Sequence, residues 1–166
     1  LVPDKYDIVR HQLMHPVRGE ILLNLTFSGN IGDKVDGLFA RKNSQNKAFV
    51  FSQFQPMSAR SAFPGFDDPG VKATFQFQVT IPKELDALHN TPVQKVITKG
   101  DRKTILFART SKQYTDVLAL AVGEFEVLQL DNTPLKSRFY APVSSQLKLP
   151  AATDELIRNS ISFFED

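Results

Sequence analysis

The stretch FSQFQPMSARSAFPGFDDPGVKATFQFQVTI, from Phe51 to Ile81, decides how this chain folds. Its closing residues alternate: Val71, Ala73, Phe75, Phe77, Val79 and Ile81 are apolar, and Lys72, Thr74, Gln76, Gln78 and Thr80 are polar. A period of two places every apolar side chain on one face, which predicts a strand with one buried side. The stretch also opens as strand, Ala48 to Phe54. The loop between is shaped by Pro56, Pro64 and Pro69 with Gly65 and Gly70, residues that interrupt a ladder and set turns. Gln53, Gln55, Arg60, Asp67 and Asp68 are the polar groups of this otherwise apolar passage. Such groups either satisfy the loop's own backbone or face a ligand.

Outward from this stretch the pattern stays β. Upstream, Glu20 to Phe27 (EILLNLTF) sets Ile21, Leu23, Leu25 and Phe27 on one face, and Leu38 to Ala40 reads as a brief strand. Tyr6, Ile8 and Val9 form a short candidate strand at the start. Downstream, Val93 to Thr98 and Arg102 to Arg109 flank a turn at Lys99-Gly100-Asp101, the signature of a hairpin. Val117 to Val122 (VLALAV) is apolar throughout, as in a strand covered on both faces. Phe125 to Leu130 and Arg138 to Ala141 follow as strands. After Thr153-Asp154-Glu155 the period changes: Leu156, Ile157, Ser160, Ile161 and Phe164 keep helical spacing. The expected fold is therefore all-β, with short connecting turns and a C-terminal helix.

Composition narrows the functions. The 166 residues suffice for one domain with a substantial core. Lys and Arg number 20 against 18 Asp and Glu, and the basic residues are scattered, so no field recruits nucleic acid. The longest apolar run, Val117 to Val122, is far too short for a membrane span. No cysteine is present, which excludes disulfides and thiolate metal sites and suits cytoplasm and periplasm equally. Fourteen phenylalanines and no tryptophan point to a core of phenylalanine rings packed across strands.

Catalytic constellations are weak. His11 and His15 are four apart, but Gln12 stands where a zinc-peptidase helix needs Glu, and Pro16 follows at once. His89 stands alone. No nucleophile elbow of the G-x-S-x-G type occurs. Asp67 and Asp68 are adjacent carboxylates, and the favoured reading is that one caps the Pro64 to Gly70 loop while the other pairs with Arg60. Asn24-Leu25-Thr26 matches a glycosylation sequon inside an expected strand, a match common by chance. Gln53 and Gln55 share parity, and an amide both donates and accepts, which suits a polar end group. A solvated strand face explains the same spacing.

Several motifs in order then resemble one family. They are Gln53-Phe54-Gln55-Pro56; Ala59-Arg60, Phe63-Pro64 and Phe66-Asp67-Asp68-Pro69; Lys72-Ala73-Thr74-Phe75; Ile81-Pro82; Ala87-Leu88 with Asn90 and Pro92; Leu120-Ala121-Val122-Gly123-Glu124-Phe125; and Arg138-Phe139-Tyr140-Ala141-Pro142. Together they resemble the N-terminal domain of the gluzincin (zinc) aminopeptidases, the alanyl aminopeptidase and leukotriene hydrolase family. The resemblance implies an antiparallel, saddle-like β-sandwich over residues 1–150, with shortened opening strands, and the first helix of a catalytic domain over 151–166. It implies a fragment of a larger enzyme that removes N-terminal amino acids from peptides. Zinc and the catalytic residues would belong to the absent catalytic domain, and this chain would hold neither. Gln55 would help bind the α-amine of a peptide substrate, Gln53 would sit near the first side chain, and Arg60, Asp67 and Asp68 would brace their loop. The alternative from another class is a stand-alone, non-catalytic β-sandwich binding module. A purely structural sandwich is a third reading, and it requires internal hydrogen bonds on both glutamines.

Overall fold

A computed structural model describes residues 8–9, 12–130, 137–145, 150 and 152–165. Its strands are β1 (Gly37–Lys42), β2 (Ala48–Gln53), β3 (Gln78–Pro82), β4 (Asp86–His89), β5 (Val93–Lys99), β6 (Arg102–Phe107), β7 (Leu120–Gly123), β8 (Phe125–Gln129) and β9 (Arg138–Pro142). Helix α1 covers Thr153–Glu165. The strands form a four-stranded sheet in the order β1-β2-β7-β4, a three-stranded sheet β3-β6-β5 and a two-stranded ribbon β8-β9. All pairs between these strands are antiparallel. The architecture is an all-β sandwich with a C-terminal helix.

The core follows from register. Val50 of β2 lies across from Val122 of β7, which lies across from Ala87 of β4, so the three share one face. That face meets Ile81, Ile105 and Phe107 of the second sheet, with Phe77, Val79, Leu85 and Leu120 around them. The opposite face of the four-stranded sheet carries aromatic rings. Phe39 and Phe51 are 5.9 Å apart, Phe49 and Phe51 6.5 Å, and Phe125 of β8 meets Phe49 edge-on at 5.7 Å. Cross-strand phenylalanines thus take the place of tryptophan in this chain. Between β5 and β6 the loop is two residues, Gly100 and Asp101, and Gly100 adopts a φ of +64°. Only such a mirror-image turn matches the twist of the two strands.

The structure departs from the sequence pattern in four places. Residues Glu20 to Phe27 are in no strand, and Ile21, Leu22, Leu23, Leu25 and Phe27 are exposed. Alternation creates a strand only where a neighbouring edge accepts its backbone. Just downstream, Gly32 makes an isolated parallel bridge to Phe39 of β1. The sequon at Asn24 consequently lies on exposed, unpaired backbone.

The alternating run Val71 to Ile81 joins a regular ladder only from Gln78. Its inward residues Phe75, Phe77, Val79 and Ile81 are still more buried than their neighbours. The ladder breaks because the Thr110 hydroxyl, not a carbonyl, receives the Phe75 N–H. Val117 belongs to a single-turn helix, Thr115–Val117, and of its apolar run only Leu120, Ala121 and Val122 are in a strand, β7. That strand is central in its sheet, as its composition requires. The candidate strand at Tyr6 to Val9 lies largely outside the described residues, and Ile8 and Val9 are in no strand.

Candidate functional site

Strand β2 stops at Gln53 because Pro56 follows closely and has no N–H for a ladder. Phe54 then turns inward. It is 3% exposed and packs with Ala59 (0%) and Leu118 (3%), bordered by Leu38, Phe63 and Phe75. This buried ring fixes the chain between the two glutamines. Gln53 is half-buried at the strand end, and Gln55 is exposed in the turn just beyond it, before the cis Gln55-Pro56 bond. The Ser58 N–H donates to the Phe54 carbonyl at 2.8 Å, and a single helical turn follows at Ala59–Ser61.

Gln53 shares the face of Phe51 and Phe39, and its cross-strand partner is Gly37. Gly37 presents no side chain beside the glutamine, whose neighbours on this face are the rings of Phe51 and Phe39. Gly37 has a φ of +61°, and an added Cβ would lie 2.0 Å from Ser61 Oγ. The turn at Ala59–Ser61 therefore seats directly on this glycine. Gly37→Ala is expected to destabilise the chain by about 1–3 kcal/mol, through left-handed backbone strain and overpacking together. A thermal denaturation series checks it, and Ser61→Gly in the same chain should recover part of the loss. Neither Gln53 nor Gln55 makes a side-chain hydrogen bond to any described residue. Both amides are left to solvent or to a ligand, contrary to the purely structural reading.

Arg60, Asp67 and Asp68 do separate jobs. The Arg60 N–H and Nε donate to Asp67 Oδ2 at 3.0 and 3.2 Å, and its Nη2 donates to the Asp67 carbonyl at 2.7 Å. Thr115 donates its hydroxyl to the other oxygen, Asp67 Oδ1, at 2.6 Å. Asp67 is 8% exposed, so these partners hold a nearly buried carboxylate. Burial opposes its ionisation, but the Thr115 hydroxyl, the Arg60 N–H and the Arg60 guanidinium outweigh it, leaving the carboxyl below the ordinary aspartate range. Asp68 is exposed and accepts the Gly70 N–H at 2.6 Å, closing a local turn. The loop after Gln55 is thus tied back on itself and, through Thr115, to the approach to β7.

Thr115 carries no local sequence signal. Its partner is 48 positions away, and only the fold brings them together. The same holds for Asn90, whose amide donates to the Val117 carbonyl at 2.9 Å and accepts the Ala119 N–H at 2.6 Å. Among the described residues no three His, Asp or Glu side chains gather as metal ligands. His15 is exposed, and His11 lies outside the described residues. No helix among the described residues is long and apolar enough to cross a membrane.

A sandwich whose Gln-Phe-Gln-Pro strand end is braced by an Arg-Asp loop belongs to a known class of domain. The sequence model of the peptidase M1 N-terminal domain matches residues 4–116, and the chain belongs to that family. It is 37% identical over 132 residues to aminopeptidase N of Acetobacter pasteurianus, covering 75% of this chain and 37% of that protein. It is 30% identical to aminopeptidase M1-A of Oryza sativa subsp. japonica, covering 98% of this chain and 19% of the relative. To the mitochondrial aminopeptidase 2 of Saccharomyces cerevisiae it is 29% identical, covering 92% and 16%. The chain therefore spans well under half the length of these relatives.

Proposed function

We propose that this chain is the N-terminal domain of a zinc metallo-aminopeptidase, with residues 1–150 as the domain and 151–166 as the start of a catalytic domain. In this reading Gln55 helps hold the free α-amine of a peptide, and Gln53 borders the place of its first side chain. The observation that carries it is the pair of amides at the end of β2, free of hydrogen bonds to described residues and held by a braced loop. An amide oxygen can accept an ammonium N–H, and the rings of Phe39 and Phe51 supply apolar wall beside it.

Zinc, held by residues beyond this chain, would supply an activated water for the peptide bond. The chain's own share is positioning: the domain caps the cleft and keeps the amine at a fixed distance from the bond to be cut. Purified by itself, the chain is expected not to hydrolyse an aminoacyl anilide. Chelator-sensitive turnover by the chain alone would overturn this division of labour. The exposed apolar residues of α1, Leu156, Phe163 and Phe164, fit the same reading, as a face for further chain to cover.

A further inference from the structure

His89 ends β4 with its ring between two phenylalanines, 4.4 Å from Phe77 and 5.1 Å from Phe107 between centroids. Thr91 donates its hydroxyl to the Ala108 carbonyl at 2.7 Å, so its oxygen is left to accept from Nδ1 at 3.1 Å. The Thr91 N–H also approaches Nδ1, at 3.3 Å, and favours the opposite tautomer. The two contacts favour opposite tautomers, and only the doubly protonated ring must donate from both nitrogens at once. Nε2 is buried without a partner among the described residues. In the doubly protonated ring Nε2 carries a buried N–H with no acceptor among the described residues, and the Thr91 N–H loses its acceptor at Nδ1.

The ring also lies where strands meet the candidate site. His89 pairs with Leu120 of β7, and the Leu120 N–H donates to Ser52 Oγ at 2.8 Å. Ser52 immediately precedes Gln53. Asn90, next to His89, clamps Val117 and Ala119 on the same approach to β7. A contiguous path of strand pairing and hydrogen bonds therefore runs from the backbone of His89 to the strand end that bears the two glutamines.

We propose that neutral His89 is a positioning residue for the β2 end carrying Gln53 and Gln55, and that protonation of its ring releases that end. The functional importance of the strand end rests on the reading of Gln53 and Gln55 given above. The groups facing the ring are uncharged: Phe77, Phe107 of β6, Leu120 of β7, and Thr91 and Ala108 of the neighbouring loops. The nearest charged pair on these strands, Asp86 of β4 and Lys103 of β6, is satisfied within itself at 2.9 Å. Burial is the one cause acting on the ring, and it lowers the pKa. With the folded value below the unfolded one, the unfolded or opened state binds more protons at mildly acid pH. The contribution of His89 is therefore complete above about pH 6.5 and lost as pH falls below that value.

The test is an NMR titration of the chain from pH 7.5 to 5, following the His89 ring and the amide protection factors of Ala119 and Leu120. The ring signal is assigned by its absence in His89→Gln. The His89 ring is expected to titrate below the ordinary histidine range, and both protection factors to fall about tenfold in step with it. In His89→Gln the pH dependence should disappear. Protection factors constant within twofold while the ring titrates would overturn the proposal, as would an unchanged acid response in His89→Gln. If that variant does not fold, the wild-type protection factors of Ala119 and Leu120 between about pH 7.5 and 5 decide alone. The readout is local order and needs no turnover, so its failure is distinct from failure of the aminopeptidase reading.

Discussion

Asp67→Ala is expected to lower the unfolding free energy by about 3 kcal/mol. The carboxylate accepts from the Arg60 N–H and Nε on one oxygen and from the Thr115 hydroxyl on the other. Removing it strands the Thr115 hydroxyl and the Arg60 N–H in a buried setting and leaves the guanidinium with one carbonyl. Breaking a fully buried charged pair costs about 3–5 kcal/mol, and the partial exposure of Arg60 places this site at the lower end. The neighbouring Asp68→Ala removes one exposed acceptor and should cost less than about 1 kcal/mol. Urea denaturation of the two variants side by side separates the roles of these adjacent residues. Equal losses would contradict the geometry. The effect is also pH-dependent. The folded-state carboxyl is held below its ordinary range, so its stabilisation is present above about pH 4 and lost as pH falls through the lowered folded value. Wild type and Asp67→Asn should therefore converge in acid.

Phe107→Ala is expected to cost about 3–5 kcal/mol, more than Asp67→Ala. The ring is 1% exposed, sits between the two sheets with Ile81, Ile105, Ala87 and Val122, and forms one wall around His89. For a chain of this length that loss corresponds to a fall in Tm of roughly 6–20 °C. Truncating Phe163 or Phe164 of α1, which are 76% and 83% exposed, should leave stability within about 0.5 kcal/mol. A scan in which all three phenylalanines behaved alike would place the core elsewhere.

Much of the fold was legible because the sandwich's signals are local. Period two marked Phe75, Phe77, Val79 and Ile81 as inward, and Gly100 with Asp101 marked the hairpin. The same period misled at Glu20 to Phe27, since alternation records what a strand would bury and not whether an edge is there to pair with it. It also overran at Val71 to Phe77, where the Thr110 hydroxyl interrupts the ladder in a way that no pattern in either segment encodes. In the site, Arg60, Asp67 and Asp68 stood out as polar residues in an apolar loop. Their division of labour depends on Thr115 arriving from far along the chain. His89 read as a lone histidine, because the rings that enclose it come from residues 77 and 107. Gln53 and Gln55 were visible by parity, but their proposed role came from family resemblance, since two spaced amides on a strand suit a solvated face equally well.

The most direct test of the central claim is kcat/KM of the complete protein carrying Gln55→Ala, measured on peptides with a free amino terminus. Losing a hydrogen bond to a charged amine is worth about 1.5–3 kcal/mol, so kcat/KM should fall about 10- to 100-fold, while the urea midpoint stays where it is because the side chain is exposed. An unchanged kcat/KM would contradict the anchoring role of Gln55, the central functional claim made for this domain's own residues.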